Sequence, residues 1–178
     1  MTVRTRGKGL TWDDGTGRYA VEVLLVEDDQ GNVVMITEAL EQSGAPVRLH
    51  VVGDGEQAMQ FSTGPAASPM PRPGLIVLDL NLPRRTGLEV LADLKAGQDL
   101  LPIPVLILTT SAAPPDVQLS YSLHASAYVS KPADFDGFTG AIRQIARWFL
   151  ELIELPRPSS PPAAHLARPI ACRGYGEG

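Results

Sequence analysis

The stretch LIVLDLNLPRRTGLEVL, residues 75–91, decides the fold. Its first four residues, Leu75–Leu78, are continuously apolar, as a strand covered on both faces must be. Asp79 stops that run. Pro83 and Gly87 then punctuate a tight loop, Pro through its fixed φ and Gly through conformations that other residues resist. After the loop, Leu88, Leu91 and Leu94 recur at helical spacing. Strand, polar stop, loop and amphipathic helix in one short stretch make half of a βαβ unit, so the expected sheet is parallel.

Working outward, the same alternation repeats. Apolar runs at Val21–Val26, Val47–Val52, Val105–Leu108 and Ala127–Val129 bring the predicted strands to five. Val33, Ile36 and Leu40 mark a helix ended by Gly44, and Gly97 ends the helix after Asp79. The last helix carries a stripe of Phe138, Ile142, Ile145, Phe149 and Ile153 and is stopped by Pro156. The predicted class is α/β, a doubly wound five-stranded parallel sheet. Residues 63–74 hold four prolines, too many for a regular element, and read as a surface loop. Residues 1–20 lack apolar periodicity and residues 156–178 are rich in Pro and Gly. Both read as disordered tails around one domain spanning 21–155.

Composition narrows the function. A net charge of −5 with interspersed signs gives no footprint for wrapping nucleic acid or adhering to anionic lipid. The single cysteine, Cys172, has no internal disulfide partner. No run approaches the ~20 apolar residues of a membrane span and the N-terminus lacks the apolar stretch of a signal peptide, so a cytoplasmic protein is expected. His50, His124 and His165 lack metal-ligand spacing and are assigned no role.

The polar residues that stop the strands carry the chemistry. In an open parallel sheet, ligands bind outside the carboxyl ends of the strands. Glu27, Asp28 and Asp29 follow the first strand, Asp79 the third, Thr109 and Thr110 the fourth and Lys131 the fifth. Singly, such residues are often helix caps and turn formers. Jointly, three or four carboxylates at one sheet end repel each other and call for a cation. Mg²⁺ suits them, because it takes oxygen ligands, keeps several waters and shares phosphate oxygens with its substrate.

The motifs LLVEDD (24–29), LDLNLPRRTG (78–87), LTTS (108–111) and YVSKP (128–132), in this order and spacing, resemble the receiver domains of bacterial two-component response regulators. The resemblance implies a flavodoxin-like fold with strand order 2-1-3-4-5. It implies Asp79 as phosphoacceptor, with Glu27, Asp28, Asp79 and the Asn81 backbone carbonyl around Mg²⁺, and Asp29 as a bystander. It further implies Thr109 as the switch hydroxyl, Tyr128 as the aromatic that moves with it, Lys131 as the phosphate's ammonium partner, and a cis peptide before Pro132. Thr110 is read as a strand-end hydroxyl satisfied by backbone. The chemistry agrees, since an ionised carboxylate can attack phosphorus without a general base when the equatorial oxygens are neutralised.

LNLPRRTGLEVL, HASAYVSKP and RWFLELIELP make the chain most similar to small single-domain regulators that accompany phytochrome-type sensor histidine kinases. It departs from common receivers at Thr86, often Asp, and at His124, often Gly. A sensor histidine kinase is the implied partner. Trp148 and Leu152, four residues apart on a second face of the last helix, predict a symmetric homodimer. A phosphatase of the aspartate-nucleophile class would need an acid where Asn81 stands. A receiver-fold scaffold that works without phosphorylation stays open.

Overall fold

The computed structural model describes residues 21–63 and 72–148. Ten elements alternate strictly: β1 (Val21–Val26), α1 (Gln30–Ser43), β2 (Val47–Val52), α2 (Gly55–Thr63), β3 (Leu75–Leu78), α3 (Gly87–Ala96), β4 (Val105–Thr109), α4 (Pro114–Ser122), β5 (Ala127–Ser130) and α5 (Phe135–Ala146). The strands form one parallel sheet in the order β2-β1-β3-β4-β5, as expected. β1 and β3 are central, and Val23–Val26 and Leu75–Leu78 are buried on both faces.

Alternate residues of the central strands feed two cores. Leu24, Ile76, Leu78 and Ile107 meet Phe61 of α2 and Val90, Leu91 and Leu94 of α3 on one face. Val23, Leu25, Val77, Leu106 and Leu108 meet Val33 and Ile36 of α1 and Phe138 and Ile142 of α5 on the other. Large aliphatic side chains such as these each stabilise the fold by about 1.5–3 kcal/mol on full burial. α4 is the weakly anchored helix, for its only buried residue is Ser120.

Local signals set the helix starts. Asp29 caps α1 by accepting the Asn32 N–H at 3.0 Å, so the bystander of the acidic run has a structural task. Thr86 caps α3 in a reciprocal capping box with Glu89, which explains how a Thr serves at a position often held by Asp. Gly44 ends α1 in the left-handed region, whereas Gly97 ends α3 in extended backbone. His124, where Gly is common, has φ +66°.

Several expectations are corrected. The loop predicted from Thr63 begins later, because α2 runs through that residue, and 64–71 lie outside the described residues. β4 and β5 each extend one residue further, to Thr109 and Ser130, since Thr109 still pairs with Ser130. The peptide bond before Pro132 is trans, as are all others among the described residues. Trans is the intrinsically preferred form by about 0.5–1 kcal/mol, and it already lets Lys131 reach its partners. Phe149, Leu152, Ile153 and Pro156 lie outside the described residues; Trp148 is exposed.

Candidate functional site

The carboxyl edge of the sheet gathers the predicted residues around one buried ammonium. Backbone bonds extend the ladder just past the strands, Glu27 N–H to Val52 O, Asp79 N–H to Val26 O (both 3.0 Å) and Lys131 N–H to Thr109 O (2.7 Å). The three side chains are thereby set at the same level. Lys131 Nζ lies 2.7 Å from Glu27 Oε2 and 2.6 Å from Asp79 Oδ2, and all three side chains are almost fully buried.

Each carboxylate is further committed. Glu27 Oε1 accepts Asn32 Nδ2 at 3.0 Å and the Asp29 N–H at 3.3 Å. Asp79 Oδ1 accepts the Asn81 N–H at 3.0 Å. Burial raises the pKa of Glu27, opposed by the bonds from Asn32 and Lys131. Burial would lower that of Lys131, yet its bonds to Asp79 and Glu27 outweigh this and raise it, so the ammonium stays charged. Asp28 is exposed at the same strand end. Three carboxyl groups, Glu27, Asp28 and Asp79, thus face a single ammonium, Lys131.

That balance and an all-oxygen donor set fit a hard divalent cation. Asp28, Asp79 and the Asn81 carbonyl, which has no backbone donor among the described residues, could supply the ligands. Among the described residues no three His, Cys, Asp or Glu side chains close into a cage. A cation held here would keep waters, as Mg²⁺ does.

On the β4 side the bonds around Thr109 and Tyr128 join neutral groups, while the Ser111 hydroxyl donates to Asp116 of α4 at 2.5 Å. Thr109 is fully buried, and its hydroxyl accepts long bonds from Asn81 Nδ2 (3.4 Å) and the Ser111 N–H (3.3 Å). Its own proton has no acceptor among the described residues. Thr110 was expected to bond to backbone, but its hydroxyl accepts Asn81 Nδ2 at 3.1 Å instead, because the carboxamide spans from the β3–α3 loop to both threonines. Tyr128 donates its hydroxyl to the Ser111 carbonyl at 3.0 Å, and burial raises its pKa. Gly87 is required by geometry: a Cβ there would collide with the Asp79 carbonyl and Leu80.

The response regulator receiver domain family matches residues 23–143. The chain belongs to that family. It is 39% identical over 135 residues to response regulator Rcp1 of Synechocystis sp., covering 75% of this chain and 92% of Rcp1. The crystal structure of Mn²⁺-bound Rcp1 superposes with a TM-score of 0.74 at 38% identity, covering 77% of this chain and 99% of that one. The phosphorylated cyanobacterial phytochrome response regulator RcpA does so with a TM-score of 0.74 at 36% identity, covering 78% and 99%. Receiver domains are signalling modules phosphorylated by histidine kinases, and they bind a divalent metal at their active site.

Sequence reasoning missed three participants. Asn32 holds Glu27, and its signal was its place three residues after the Asp29 cap. Ser111 accepts Tyr128 through its carbonyl, which leaves no mark in a sequence. Asp54 is 2% exposed and bonded to Arg84 in the β3–α3 loop. It begins the run Asp54-Gly-Glu-Gln57, a capping signature before a helix.

Proposed function

We propose that this chain is a single-domain response regulator whose Asp79 accepts a phosphoryl group from a sensor histidine kinase in a Mg²⁺-dependent reaction. The observation that carries this reading is Lys131 bridging Glu27 and Asp79 at the sheet edge, with Asp28 exposed beside them. An Asp79 oxygen attacks phosphorus as the donor's bond to phosphorus breaks, giving an acyl phosphate. Lys131 follows the new negative charge, leaving the carboxylate oxygen for a phosphoryl oxygen. The uncommitted proton of Thr109 is donated to another. Bound Mg²⁺ would supply neutralisation of the remaining phosphoryl charge, and Asp28 would be its main carboxylate ligand, with Glu27 reaching it through water because Glu27 is committed to Lys131 and Asn32.

As Thr109 leaves Asn81, Tyr128 follows and gives up Ser111, and the face made by α4, β5 and α5 changes. In this reading residues 21–155 are the working unit and the protein is cytoplasmic. It catalyses only its own phosphorylation and dephosphorylation, and it binds neither nucleic acid nor membrane. Similarity to RcpA supports a phytochrome-type kinase as the donor. Exposed Leu119, Tyr121 and Trp148 support a homodimer through the α4–β5–α5 face; Leu152, expected to share it, lies outside the described residues. Sedimentation of the wild type beside Trp148→Glu tests it, and a wild type that stays monomeric in both phosphorylation states contradicts it.

Incubation with acetyl phosphate, with Mg²⁺ or with a chelator, tests the main reading. One phosphoryl group per chain should appear only with Mg²⁺. No labelling under either condition would favour a scaffold that works without phosphorylation, and labelling indifferent to the chelator would remove the metal from the reaction.

A further inference from the structure

The loop after the phosphoacceptor contains a strained turn. Arg85 N–H donates to Pro83 O at 2.7 Å across Arg84, whose φ is +66°. An i→i+2 bond around a residue of positive φ marks the rarer and more strained of the two γ-turns, and Arg has none of the freedom that Gly has there. Such a conformation persists only where its surroundings hold it.

What holds it is a buried carboxylate outside the site. Asp54 ends the β2–α2 loop at 2% exposure. Its Oδ1 accepts the Gln57 N–H at 2.9 Å, and its Oδ2 receives both the Gln57 amide and the Arg84 guanidinium. Arg84 also approaches Glu56 Oε2 at 3.6 Å. The start of α2 is pressed against α3 and the loop before it as well, since a Cβ on Gly55 would lie 2.5 Å from Val90 Cγ2 and 3.2 Å from Arg85 Cβ. Capping α2 needs only one of the two oxygens, and a neutral Asn caps as well as Asp does. The charge that the cap does not need therefore faces Arg84, whose guanidinium shares Oδ2 with the Gln57 amide.

We infer that Asp54 is a positioning residue for phosphoryl transfer: its pairing with Arg84 holds the γ-turn, and through it the loop that presents the Asn81 N–H and carbonyl to Asp79 and the metal. The inference rests on the receiver reading of Asp79. The chain from turn to site is short. Arg84 is three residues from Asn81, whose N–H fixes Asp79 Oδ1, and the loop closes at Gly87, whose N–H donates to Leu80 O at 3.0 Å.

Four proteins test it: wild type, Asp54→Asn, Arg84→Ala and Arg84→Gly. Asn keeps the cap and loses the charge, Ala loses the pair and keeps the strain, and Gly loses the pair and the strain together. Calorimetric Mg²⁺ affinity and the initial rate of labelling by acetyl phosphate should both fall about 3–10-fold in Asp54→Asn and Arg84→Ala, a cost of roughly 1 kcal/mol. Arg84→Gly should stay within about twofold of wild type, because Gly takes positive φ without strain. In the metal-free proteins, hydrogen exchange of the amides of residues 80–87 should quicken in Asp54→Asn and Arg84→Ala. Unchanged exchange in those two overturns the tether whether or not the wild type is labelled. Equal losses in Arg84→Gly and Arg84→Ala overturn the backbone-holding role. A wild type that is never labelled, with exchange responding as expected, overturns the receiver reading and leaves the tether standing.

Discussion

The two sides of the site are built from different bonds. At the centre, Lys131 sits 2.6–2.7 Å from two buried carboxylates, and every oxygen of Glu27 and Asp79 has a partner. On the β4 side, Thr109 accepts bonds of 3.3–3.4 Å, Tyr128 rests on one carbonyl, and α4 buries only Ser120, whose hydroxyl has no partner among the described residues. Charge in a low-dielectric setting is expensive to leave unpaired, so the centre has one arrangement until another cation or anion arrives. The neutral bonds of Thr109 and Tyr128 exchange partners at about 1 kcal/mol each, so these two side chains can hold two arrangements close in energy. Chemistry needs the first property and signalling the second.

The largest expected effect breaks the centre. Lys131→Ala strands two buried carboxylates and should cost about 3–5 kcal/mol of stability in the metal-free protein. Urea unfolding with and without Mg²⁺ measures this, and the loss should shrink when Mg²⁺ is added because the ion replaces the missing charge. A loss under about 1 kcal/mol would make the two sides energetically alike.

The smaller effects lie on the β4 side. Thr109→Ala should cost about 0.5–1.5 kcal/mol, retain uptake of phosphate, and lose the response of α4 and β5 seen by hydrogen exchange. A full wild-type response would uncouple Thr109 from the switch. Tyr128→Phe removes a single bond to Ser111 and should cost about 1 kcal/mol at most, with faster exchange in residues 111–116 before any phosphorylation. Protection unchanged from wild type would mean that the hydroxyl does not latch that loop.

The sequence exposed the parts whose physics is local. The apolar run of β3 is continuous because that strand is buried on both faces, and β2 at the sheet edge was found from its Val and Leu residues although Arg48 and His50 alternate with them. Asp79, Glu27, Lys131 and Thr109 were legible because a parallel sheet sends its strand ends to one place. What stayed hidden depends on pairs far apart in the chain. Asp54 meets Arg84 across 30 residues, and Asn81 meets Thr110 across 29. The φ of Arg84 follows from those contacts and not from its neighbours. The bond before Pro132 is trans and not the expected cis for a related reason, since an X-Pro dipeptide permits either isomer and tertiary context selects one.

Asp79, held by Lys131 and the Asn81 N–H, is the proposed destination of the phosphoryl group. Intact-mass measurement after incubation with acetyl phosphate and Mg²⁺, run on the wild type and on Asp79→Asn, tests it most directly. The wild type should gain one phosphoryl group and Asp79→Asn none, while circular dichroism shows both folded alike. Undiminished phosphorylation of Asp79→Asn would contradict the account.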